Sequence, residues 1–138
     1  VAEAKIEELA KVVSGENAAI WAYGFLMAFL NEEDHQKGFR IFNQHRNARD
    51  EARLKLRALN QTPPRPLPNY QLPFAVNNSQ SAKQLAAYIE DRLCGLYAKL
   101  AGVEVGAEQV AAFEKSLQSA QLSYRWSNET KSFPGSVD

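Results

Sequence analysis

The chain has 138 residues, enough to bury one core without staples, and 45% of them are hydrophobic. Sixteen basic and sixteen acidic side chains cancel, and the one cysteine, Cys94, excludes an internal disulfide, a zinc cluster and a Cys-x-x-Cys redox pair. A balanced chain without aromatic residues interleaved among its bases is not built to bind nucleic acid.

Residues 2–31 form the first predicted helix. Ile6, Leu9, Val13, Glu16, Ile20, Tyr23, Met27 and Leu30 recur at steps of three and four, so one face points inward, and Glu16 is the only ionisable acid on it. Gly15 beside it permits a close approach by a neighbouring helix or ligand, or a kink. The apolar stretch 18–30 is bounded by Glu16 and by Asn31-Glu32-Glu33, short of the roughly 20 residues a membrane span needs. Asp34 is the expected N-cap of a second helix, 34–59, whose stripe runs Phe39, Phe42, His45, Arg49, Ala52, Leu56 and Leu59. An imidazole and a guanidinium thus stand where a plain bundle carries Leu or Ala. Residues 1–34 hold seven acids and residues 35–59 seven bases, which suits two antiparallel neighbours. His35, just past the acidic turn, is expected in solvent.

Residues 60–78 contain five of the six prolines, a density that excludes helix and central strand and favours an extended path. Nineteen such residues reach about 50 Å or more, whereas a helix of some 22 residues is ~33 Å long. The segment can therefore cross the length of a bundle and make helices two and three parallel, with Tyr70, Leu72, Phe74 and Val76 pinning it down. Ser79 or Ser81 caps a third helix, 79–101, with Leu85, Ile89, Leu93, Leu96 and Leu100 inward, Glu90 and Tyr97 on the flank, and Cys94 as a small core residue. The fourth helix, 107–126, shows a seam of Val110, Phe113, Leu117, Ala120 and Tyr124, expected to face the core. From Ser127 the chain reads as an irregular tail whose Phe133 docks on the bundle. The whole is expected to be one all-α domain, residues 1–138.

Several short runs occur together and in order: ENAAIWAYG at 16–24, HRNARD at 45–50, PPRP at 63–66 with YQLP at 70–73, IED at 89–91 and FPG at 133–135. As a set they resemble an uncharacterised ferritin-like domain family, a domain of unknown function seen mostly in actinobacteria. The resemblance implies a ferritin-like four-helix bundle and brings no activity with it. Ferritin-like di-iron proteins take a Glu from each of two helices and Glu-x-x-His from each of the other two. Glu16, His45 and Glu90 match three of those ligand positions. Phe42 stands where the second helix should offer a Glu, and Leu117 where Glu114 should be followed by His, so a two-metal centre is not expected.

Two readings of the centre then stand side by side. Buried charge without a partner costs several kcal/mol (roughly,), so these groups must meet something. In the first, Glu16 accepts from His45 or Arg49 and Glu90 pairs with Arg49 or Arg92, with Tyr23 close by, giving a neutralised network in a binding or assembly module. In the second, Glu16, His45 and Glu90 hold one iron, manganese or zinc ion, as a metal-binding protein or a degenerate oxidoreductase. A homodimer through helical faces is expected if Trp21 and Phe25 are exposed together. No leader precedes the first helix, which suggests a cytoplasmic protein, although a signal segment already removed would leave the same sequence.

Overall fold

The computed structural model describes residues 2–129. Every regular element among them is helical: α1 (Ala2–Leu26), α2 (Glu32–Ala58), α3 (Ser79–Val103) and α4 (Gly106–Glu129), with one 3₁₀ turn, Met27–Phe29, following α1. The Phe133-Pro134-Gly135 motif and the expected docking of Phe133 lie outside the described residues, and α4 itself extends to Glu129, past the expected start of the tail at Ser127.

The helix ends differ from expectation because side chains of asparagine set them. Asn31, not Asp34, is the N-cap of α2: its side chain accepts the Asp34 N–H at 2.9 Å. This places Glu32, Glu33 and Asp34 in the first turn, where the helix dipole favours acids. Asn78 rather than Ser79 or Ser81 caps α3, accepting from the Ser81 N–H at 2.8 Å while Ser81 Oγ accepts the Asn78 N–H at 3.1 Å, a reciprocal capping box. At the end of α2, Asn60 takes the left-handed conformation with φ 61°. Its N–H reaches Arg57 O at 2.9 Å and that of Gln61 reaches Leu56 O at 3.0 Å, the paired bonds of a Schellman stop.

Side-chain pairings fix the helix directions. Glu16 meets Tyr97 and Tyr23 meets Glu90, so α1 and α3 are antiparallel. Asp34 meets Lys83 and His45 meets Glu90, so α2 and α3 run the same way. Lys37 pairs with Glu129 and Lys55 with Glu108, so α4 opposes α2. The proline segment links α2 to α3 without regular structure. Asn17 Nδ2 donates to Pro64 O at 3.4 Å, the Tyr70 ring lies 5.6 Å from Trp21, Phe74 meets Tyr88 edge-on, and Val76 is buried.

The core is centred on α1 and α3. Leu9, Val13 and Tyr23 of the expected α1 stripe are buried, and Val12, Ala19 and Leu26 join them, while Ile20 and Met27 are half-buried. A Cβ on Gly15 would stand 2.5 Å from Leu96 Cδ1, so the glycine serves the close approach of α3. On α2, His45, Ala52 and Leu56 point inward with Ile41 and Ala48, but Phe39 is exposed. The largest correction falls on α4. Val110, Phe113, Leu117, Ala120 and Tyr124 are all exposed, and the buried row is Ala112, Ser116, Ser119 and Trp126. Where α4 lies tight against α3, at Ser116 and Ser123, small residues are required: Ser116 Oγ donates to Cys94 O at 2.8 Å and Ser123 Oγ to Ala87 O at 2.9 Å. Cys94 is half-buried at this interface rather than in the core.

Candidate functional site

Three helices deliver the centre. Glu16 from α1, His45 from α2 and Glu90 from α3 converge, with Glu16 and Glu90 essentially without exposure. His45 lies between the carboxylates, Nδ1 2.7 Å from Glu16 Oε1 and Nε2 2.7 Å from Glu90 Oε2. Tyr97 donates its hydroxyl to Glu16 Oε2 at 2.5 Å and Tyr23 to Glu90 Oε2 at 2.5 Å. Trp126 Nε1 donates to Tyr23 Oη at 3.1 Å, which ties α4 to the centre. The contact of Glu16 Oε1 with the imidazole is close yet is not a well-directed hydrogen bond, and Glu90 Oε1 is buried without a hydrogen-bond partner.

Burial by itself pushes the His45 pKa down, but the two carboxylates outweigh it and hold it at about 10. The imidazole is thus an imidazolium at neutral pH, its Nε2 bonded to Glu90 and its Nδ1 close to Glu16. Burial, and then the charge of the adjacent acid, raises Tyr23 and Tyr97 well above the ordinary phenol range, so both stay hydroxyl donors. One positive charge is shared by two carboxylates, and each carboxylate also takes a phenol.

Of the expected residues, Glu16, His45, Glu90 and Tyr23 are brought together. Arg49 is not: its guanidinium turns to the rim and pairs with Asp50, Nε to Oδ1 at 3.1 Å. Arg92 stands over the Tyr88 ring instead of reaching Glu90. Tyr97 and Trp126 were not identified as site residues from the sequence. A signal for Tyr97 exists, since Glu16–Tyr23 and Glu90–Tyr97 are both seven residues apart. Antiparallel pairing of α1 with α3 crosses the two pairs, so each phenol meets the other helix's acid.

A cation fits this donor set poorly as it stands. Both ring nitrogens are engaged, so an ion would have to replace an imidazole proton, and among the described residues no group of three His, Cys, Asp or Glu is arranged to hold a metal. A second metal finds still less, because Glu114 and Leu117 are exposed on α4 and Phe42 stacks near Phe39.

The centre is reached from outside. No Cα of α2 comes within 8 Å of a Cα of α4. The helices meet through ion pairs near their ends, Lys55–Glu108 at 2.6 Å and Lys37–Glu129 at 2.8 Å. Between them lies a cleft of about 460 Å³, with His45, Glu16 and Tyr97 among its lining and Gln44, Gln118 and Arg125 on its walls.

Four helices around a buried Glu–His–Glu centre define an all-α protein, and no helix among the described residues is long and apolar enough to cross a membrane. The chain belongs to the family described as a domain of unknown function (DUF4439), whose model matches residues 8–138. It is similar to a conserved hypothetical protein of Mycobacterium tuberculosis, rv2844, known from a crystal structure: 25% identity, 94% of this chain and 98% of that one covered, TM-score 0.89. Comparison with curated proteins gives no match.

Proposed function

We propose that the chain is a single ferritin-like domain, its proline segment the crossover of an up-down-down-up bundle, and that it works as a binding module. Parallel α2 and α3 joined by a long extended segment support the ferritin-like reading. The observation that carries the function is the cleft. α2 and α4 are clamped near both ends and held apart between, so that a small polar molecule entering there meets amide side chains on the walls and the Glu16–His45 pair on the floor. Polar walls with a charged floor suit a hydroxyl- or amide-bearing ligand better than a lipid. The test is an NMR titration of the ring signals of His45 and the indole N–H of Trp126 with a panel of sugars and free amino acids. Saturable shifts of His45 support the reading, and a panel that moves neither signal removes it.

A single iron, manganese or zinc ion on Glu16, His45 and Glu90 is the second reading. It is favoured by the two carboxylate oxygens, Glu16 Oε1 and Glu90 Oε1, buried without a hydrogen-bond partner. Elemental analysis of protein purified without an affinity tag decides it. Stoichiometric metal that survives dialysis and disappears in His45→Ala would establish the ion, and metal-free protein leaves the network as a proton-holding floor.

A further inference from the structure

The outer face of the α3–α4 pair carries large apolar side chains that nothing among the described residues covers. Val110, Phe113, Leu117 and Tyr124 are 56% to 68% exposed. With Ala120 they recur at steps of three and four, the spacing by which helices grip a partner helix. Beside them α3 presents Asp91, Gly95, Ala98 and Gly102, all exposed, and a Cβ on Gly95 or Gly102 would meet nothing within 4 Å. The two rows share one side of the molecule. α4 bonds the carbonyls of Ala87, Cys94 and Ala101. A turn of about 100° per residue from those contacts directs both rows away from α1 and α2. A ridge of large residues therefore runs beside a trough of small ones.

That juxtaposition selects the occupant. A two-fold axis lays the ridge of one copy in the trough of the other and the reverse, which makes the face self-complementary. Asp91 and Glu114 are offset by Lys99 beside the two rows, and the chain's formal charge is zero, so two copies meet without accumulating like charge. A nucleic acid or an anionic membrane would need a cationic rim. We infer that this face docks a second copy of the chain, Phe113, Leu117 and Tyr124 of each protomer lying over Gly95 and Ala98 of its partner. The inference does not depend on what enters the cleft between α2 and α4.

Sedimentation equilibrium of the full chain across the micromolar range is expected to show a monomer–dimer equilibrium. Phe113→Glu is expected to raise the dissociation constant about 30-fold or more, as loss of a central aromatic anchor does. Gly95→Glu adds bulk in open space, improves helix propensity and gains Lys99 one turn on, so it keeps parental helicity by circular dichroism while losing the dimer. Parent protein that stays monomeric throughout, that grows into open higher oligomers, or that dimerises undiminished as Gly95→Glu would each overturn the inference.

Discussion

His45 shows how one residue can hold three helices. An imidazolium between Glu16 and Glu90 neutralises charge that would otherwise be stranded in the core, while the Tyr97 phenol satisfies the Glu16 oxygen that the ring leaves and the Tyr23 phenol joins the ring on Glu90 Oε2. Its pKa, raised from 6.5 to about 10, fixes a pH dependence. Below 6.5 the folded and unfolded chains both carry the proton and the stabilisation is complete. Between 6.5 and about 10 only the folded chain keeps it, so stability falls as pH rises and the contribution is gone above that range. Urea unfolding is expected to lose on the order of a few kcal/mol across this window, and His45→Gln is expected to flatten the slope. An identical slope in the variant would mean that the proton lies elsewhere. The acids and the imidazole were legible in the sequence because each breaks an apolar or small-residue stripe. Arg49 departs from the expected pairing for a reason of reach: at the rim, its long guanidinium meets Asp50 and keeps its charge out of the core. Tyr97 was hidden because a phenol in a helix reads as core until the register of the partner helix is known.

Among the elements, α4 is the one whose periodicity points to the wrong side. Large apolar residues at steps of three and four predict an inward seam, yet α3 and α4 pack too closely to admit them, and serine hydroxyls bonded to α3 carbonyls fill the interface. Pattern alone gives a stripe without saying which neighbour it faces. The two seams differ by one residue, and that difference is measurable. Ser116→Ala keeps the size and loses the bond to Cys94 O, for a cost of about 1 kcal/mol. Ser116→Leu forces a large side chain between the helices and is expected to cost about 1–3 kcal/mol or more in chemical unfolding. If Ser116→Leu were as stable as the parent, the row of Leu117 would be the packed one and the α3–α4 interface misassigned. The other helices were easier to place because each carries its large residues on the face that its neighbours leave room for. Their ends were missed by a few residues, since Asn31 and Asn78 compete with nearby Asp and Ser for the same capping role.

At the scale of the molecule, two helix pairs are joined through α1 and α3, while α2 and α4 touch only through side chains. No sequence pattern announces such a gap, because the small residues that border it, Ala48 and Ser119, would serve equally well in a tight contact. The gap matters because it is a polar path from solvent to a buried charge, and filling it separates a working cleft from a packing fault. Ala48→Leu adds apolar volume on the cleft side of α2, and stability is expected to stay level or rise by up to about 1 kcal/mol as that surface is covered. Exchange of the His45 ring N–H with solvent, followed by NMR, is expected to slow, and any ligand shift of His45 seen in the parent is expected to vanish. Exchange as fast in Ala48→Leu as in the parent would mean that water reaches the imidazole by another way, and the cleft would then lose its claim to be the entrance.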